Sequence, residues 1–138
     1  MNKICTSLEQ SKKLVELGID VDTADMRYGY IAPYEYSDRM YEGGYDEVPY
    51  PKDFLKKNPN FSENDYDGEF PAWSLSALLE LIPTSIDEYT EDFSQLELTK
   101  CSVSYVYANG NLRKGFLKDN FLDAIFEMIV WLKENNKL

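Results

Sequence analysis

Residues 103–132 read VSYVYANGNLRKGFLKDNFLDAIFEMIVWL, and this stretch decides the fold. Val103, Tyr105 and Tyr107 alternate with Ser104 and Val106, the period of two expected of a strand with one buried face. Asn109-Gly110 is the strongest hairpin signal in the chain, and 112–117 supplies the returning strand. Asp119 or Asn120 can then cap a helix in which Phe121, Leu122, Ile125, Phe126, Met128, Ile129 and Leu132 recur at helical spacing. The apolar arc is broad, so the helix is expected to lie across the sheet as the central element of the core.

Outward from this unit the same logic finds two more helices. Leu75, Leu78, Leu79 and Ile82 follow a helical stripe that Pro83 stops, which predicts a helix over 74–82. Thr6-Ser7-Leu8-Glu9 has the capping-box pattern, and Leu8, Leu14, Val15 and Leu17 predict a helix over 7–17 with Gly18 at its left-handed stop. Short strands are expected at Ile86 to Thr90 and around Leu96 and Leu98, and one or two more between Ile19 and Ile31. Trp73 and Trp131 sit beside the leucine patterns and are read as core anchors.

The stretch from Pro33 to Phe70 differs in composition. It holds Pro33, Pro49, Pro51 and Pro59, a Gly43-Gly44 pair and six of the eleven tyrosines. It reads as a long loop, with a short helix over 52–57 that Pro59 ends. The fold class is therefore α+β: one antiparallel sheet with about three helices packed mainly on one face. The 138 residues suit a single domain over 1–138, in which 34–69 forms a long, acidic, Tyr-rich loop region.

Composition narrows the chemistry. Fourteen basic and 25 acidic residues give a formal net charge of −11, which argues against direct binding to nucleic acid. Histidine is absent, so Ser-His or Cys-His catalysis and an imidazole switch are excluded. No Gly-rich phosphate loop, serine elbow or paired-cysteine metal spacing occurs. Cys5 and Cys101 are read as reduced thiols, and the opening residues carry no apolar leader. The longest apolar run is broken by Asp123 and Glu127, too short for a membrane span. The expectation is a cytoplasmic protein without cofactor or metal.

The acidity is concentrated: residues 28–70 carry four basic and ten acidic groups, and residues 71–100 carry one and six. Glu63, Asp65, Asp67 and Glu69 form one cluster, and Asp87, Glu88, Glu91 and Asp92 a second. Asp65-Tyr66-Asp67-Gly68-Glu69 has the alternating oxygens of a calcium loop, but serine stands where the closing glutamate should be, so no cation site is expected. Solvated charge is the plain reading of these carboxylates, and a lining beneath the loop that of its tyrosines. The sharper reading joins both into an interaction surface of Tyr34, Tyr36, Tyr41, Tyr45 and Tyr50 with the eight clustered acids. Tyr supplies rigid contact area, and a basic partner would meet rings beside carboxylates. A protein partner is thus expected; a nucleic-acid mimic, a carboxylate-dependent hydrolase and a homo-oligomer are the alternatives.

The segments 71–83 (PAWSLSALLELIP), Asp123-Ala124 with Glu127-Met128, and Trp131-Leu132 resemble an uncharacterised family of small proteins from phages and prophage-like elements of gut bacteria. The stretches 5–14 and 23–26 are similar to its N-terminal part, so the likeness covers about half the chain. It implies association with mobile elements, and it carries no catalytic residue to any position here.

Overall fold

The computed structural model describes residues 3–31, 50–51 and 66–138. In chain order these form α1 (Leu8–Glu16), a 3-10 turn (Val21–Thr23), β1 (Met26–Ile31), β2 (Tyr50–Pro51), β3 (Tyr66–Ala72) and α2 (Leu75–Leu81). Then come β4 (Ser85–Ile86), β5 (Ser94–Leu98), β6 (Ser102–Tyr107), β7 (Leu112–Leu117) and α3 (Phe121–Glu134). The α+β class holds, but the strands make two antiparallel sheets where one was expected: β2-β1-β3, and β4-β5-β6-β7.

The second sheet shows why one face is wet and one dry. Along β6, Val103 and Tyr105 are fully buried, while Ser102, Ser104 and Val106 between them stay partly open. The buried face meets α3, whose Leu122, Ala124, Ile125, Phe126, Met128, Ile129 and Leu132 are all inside. Helix α3 touches β6, β7 and α2, and the shared cluster takes in Leu14, Trp73, Leu78 and Ile86. Fully burying one such side chain is worth about 1.5–3 kcal/mol, so this helix is the largest single source of cohesion. Asn120 caps it by accepting from the Asp123 amide at 2.9 Å.

The hairpin forms at the place the sequence marks, by a different turn. Gly110 alone takes a positive φ, at +89°, so the chain reverses through a four-residue loop over 108–111. A two-residue type I′ turn would need positive φ at both central positions. The Tyr107 amide donates to the Asn111 carbonyl at 2.8 Å and closes the loop.

Three local expectations shift. The capping box of α1 moves by one residue: Ser7 accepts from the Gln10 amide at 3.1 Å and its own amide donates to Gln10 Oε1 at 3.0 Å. Thr6 is unavailable because its buried hydroxyl already accepts from the Trp73 amide at 3.0 Å and pairs with Ser11 Oγ at 2.8 Å. Secondly, the supposed loop between Pro33 and Phe70 contains two strands. β3 pairs along β1 from Met26↔Ala72 to Ile31↔Tyr66, and β2 pairs the other edge of β1 through Arg27↔Tyr50. The alternation of Tyr66, Gly68 and Phe70 with acids is itself a strand period, hidden by its charge and by Pro71. The short helix expected over 52–57 lies outside the described residues.

The third shift is at β4, which ends at Ile86 instead of running to Thr90, because Asp87 and Tyr89 adopt left-handed φ values of 54° and 65°. Extended pairing cannot pass through such residues. Trp73 is fully buried, its indole donating to Thr23 Oγ1 at 2.9 Å, while Trp131 is only partly covered.

Ile129→Ala and Leu78→Ala should each cost about 2–5 kcal/mol, read from urea unfolding. Val15→Ala, on the open side of α1, should stay within about 0.5 kcal/mol. A near-neutral Ile129→Ala would mean that the arc of α3 does not face the sheet.

Candidate functional site

The turn that interrupts β4 and the one that joins β6 to β7 lie at the same end of the second sheet. Antiparallel register puts them there: Ser94, the first residue of β5, pairs with Tyr107, the last of β6. Between Asp87 and Phe93 the chain folds on itself. The Thr90 amide and hydroxyl both donate to the Asp87 carbonyl, at 3.2 and 2.7 Å, and the Phe93 amide donates to Thr90 O at 3.2 Å. Thr90 Oγ1 in turn accepts from the Asp92 amide at 3.1 Å.

Asp87 ties this loop to the rest of the molecule. Lys137 Nζ donates to Oδ1 at 2.7 Å, and Arg113 Nη1 stands 2.7 Å from Oδ2. The same guanidinium nitrogen donates to the Asp92 carbonyl at 2.6 Å and to Ser94 Oγ at 3.2 Å. Its carbon lies 5.9 Å from the ring centres of both Tyr107 and Trp131. One arginine, on β7, thus holds two points of the loop. Asp87 was expected on the interaction surface, and its carboxylate is instead spent internally, 19% exposed. The Lys137 ammonium, and then the Arg113 guanidinium, hold this carboxyl below the ordinary carboxylate range.

With Asp87 turned inward, its neighbours turn out. Tyr89 is 100% exposed, and Glu88, Glu91 and Asp92 are exposed around it. Glu88 accepts from Ser85 Oγ at 2.6 Å, whereas no described cation pairs with Glu91 or Asp92. Two open depressions flank the loop. One of about 500 Å³ is lined by Glu88, Tyr89, Thr90 and Phe93. The other, of about 700 Å³, runs between the loop and the 108–111 turn, with Glu91, Phe93, Tyr107, Ala108 and Leu112 along it.

The remaining expected site residues fall elsewhere. Tyr34, Tyr36, Tyr41, Tyr45, Glu63 and Asp65 lie outside the described residues, while Tyr50 sits in β2 and Asp67 and Glu69 in β3. The acids of β3 therefore belong to a sheet strand, in place of a loop that could curl round a cation. Sequence reasoning missed Phe93, Tyr107 and Leu112, which line the second depression, Tyr89, which lines the first, and Arg113, which holds the loop. Tyr89 was read as part of a strand, and no local pattern announces a contact between Arg113 and a loop twenty residues earlier.

Cys5 is an inert thiol. Both cysteines are free. Cys5 is buried beside Tyr28, whose hydroxyl donates to Thr6 O at 2.8 Å. Burial pushes the Cys5 thiol and the Tyr28 phenol upward, so both stay protonated at neutral pH. At the other pole Asp123 accepts from Gln10 at 2.9 Å, Lys3 at 3.0 Å and Asn120 at 2.8 Å. Burial alone would raise this carboxyl, and the three donors together bring it below the ordinary range. Among the described residues no helix is long and apolar enough to cross a membrane. Set against family models, curated proteins and solved structures, the chain matches none.

Asp87 and Asp123 titrate lower in the folded chain than in the unfolded one, so they stabilise above the ordinary aspartate pKa of about 3.9. That contribution disappears as pH falls through the lowered folded values. Asp87→Asn should therefore be less stable than the wild type at neutral pH, with the two urea midpoints converging as pH drops below the ordinary aspartate pKa of about 3.9. A gap that stays constant with pH would show that the Asp87 charge does not hold the loop.

Proposed function

We propose that the chain is a phage- or prophage-associated accessory protein that acts without catalysis, by docking a partner protein against the 87–93 loop and the 108–111 turn. The observation that carries this is Tyr89, wholly exposed on a loop whose base is pinned by Asp87. A tyrosine ring left entirely in water forgoes burial worth about 2 kcal/mol, and a partner that covers it recovers that energy. Because the loop is already fixed, little conformational entropy is lost when the ring is covered. Phe93, Tyr107 and Leu112 extend the apolar contact next to it, and exposed carboxylates form a polar rim, the anatomy of a protein-binding patch.

The phage association rests on the likeness of 71–83 and the C-terminal helix to an uncharacterised family of phage-borne proteins. A docking role accords with the chemistry available at this end of the sheet: carboxylates, rings and backbone turns.

A photo-crosslinking phenylalanine analogue in place of Tyr89 should trap one discrete protein in lysate of the organism that encodes the chain. The same analogue at Lys12, exposed on α1, should not. Tyr89→Ser should abolish capture by the tagged protein and leave its thermal midpoint unchanged. Equal trapping from both positions, or capture indifferent to Tyr89→Ser, would dismiss this surface.

A further inference from the structure

The groove between the 87–93 loop and the 108–111 turn is lined by the rings and aliphatic carbons of Phe93, Tyr107, Ala108 and Leu112 and by the neutral polar Thr90, Asn109 and Asn111, with one carboxylate, the exposed Glu91, at its rim. Glu88 and Asp92 stand exposed on the same loop. The cations nearest in the fold are already committed: Arg113 to Asp87 and the Asp92 carbonyl, Lys137 to Asp87, and Lys114 over the Phe116 ring at 5.0 Å. The groove thus combines an apolar patch and neutral polar groups with one carboxylate that no described cation pairs.

We infer that this groove receives a lysine- or arginine-bearing segment of the partner protein. Resting on the docking role proposed above, the inference adds the chemistry of what docks. Lysine and arginine are the side chains that match both halves of the site, because an aliphatic stem leads to a charged head. The stem lies on Phe93 and Leu112, and the head reaches Glu91 at the rim. A purely apolar segment would strip water from Glu91 without replacing it, and an acidic one would meet a chain of net charge −11. The rest of that negative field draws a basic segment in and speeds encounter at low salt.

The test is a titration of the ¹⁵N-labelled full chain with the synthetic peptide Gly-Lys-Leu-Lys-Leu-Lys-Gly, and with the same peptide carrying glutamate in place of lysine, at about 150 mM salt. The lysine peptide should shift amide resonances of residues 88–93 and 107–112 and few others, and the glutamate peptide none. Glu91→Gln with Asp92→Asn should weaken binding by about threefold or more with an unchanged thermal midpoint, while Glu16→Gln on α1 should leave it alone. Shifts spread over every acidic surface, or full affinity in the double variant, would overturn the inference. If the peptide fails while crosslinking through position 89 persists, the docking surface stands and its partner is not basic. If crosslinking through position 89 also fails, the docking surface falls with it.

Discussion

Burial of the α3 arc against β6 and β7 is the constraint from which the rest follows. Seven of the helix's fourteen residues are inside, and they contact the dry face of the second sheet and the α2 helix together. A helix so broadly apolar has no stable place at a surface. Its position obliges the sheet to alternate, which is why serines on β6 point outward where Val103 and Tyr105 point in. It also brings the C-terminal end of the chain beside the turn after β4, so that Lys137 and Trp131 meet groups from residues 87–113.

That proximity solves an electrostatic difficulty. Asp87, Glu88, Glu91 and Asp92 fall within six residues, and like charges so close favour an open, extended chain. Arg113 and Lys137 neutralise one carboxylate and tie down the Asp92 carbonyl, so the loop stays folded with its other charges exposed. The left-handed conformations of Asp87 and Tyr89 are retained at a cost of order 1–3 kcal/mol each, which the ion pairs and the Thr90 hydrogen bonds offset. Folding and presentation are thereby separated: Asp87 holds the loop, while Tyr89 and Glu91 hold nothing and are free to meet a partner.

The helices were legible because each signal is local. Ser74 before a leucine stripe, Pro83 after it, and Asn120 before the longest apolar arc mark element ends within one turn of chain. The hairpin was legible in place but not in type, since Asn-Gly marks a reversal without fixing how many residues make it. What local reading missed depends on distant partners. β3 looks like loop until β1 is laid beside it, for only the pairing from Met26↔Ala72 to Ile31↔Tyr66 makes a strand of it. Thr6 looks like a helix cap until Trp73, which is 67 residues away, claims its hydroxyl. The acidic cluster at 87–92 was found by composition, yet composition treats its four carboxylates alike. The division between one inward and three outward depends on Arg113 and Lys137, whose approach is set by how α3 crosses the sheet.

The same division would let a chain of this composition carry the proposed surface. A net charge of −11 spread evenly would attract any cation weakly and none selectively, and it would be screened within about 8 Å at physiological salt. Selectivity requires charge fixed beside shape. At the end of the second sheet Glu91 lines the same depression as Phe93 and Leu112, on a loop whose base Asp87 ties to Arg113 and Lys137. On the proposed reading, the long-range field would set how often a basic segment arrives, and the groove whether it stays. A residue that contributes to both, as Asp87 does through the field and the clamp, would confuse the two effects when altered; Glu91 contributes to the groove and the field without touching the fold, and so reports on binding alone.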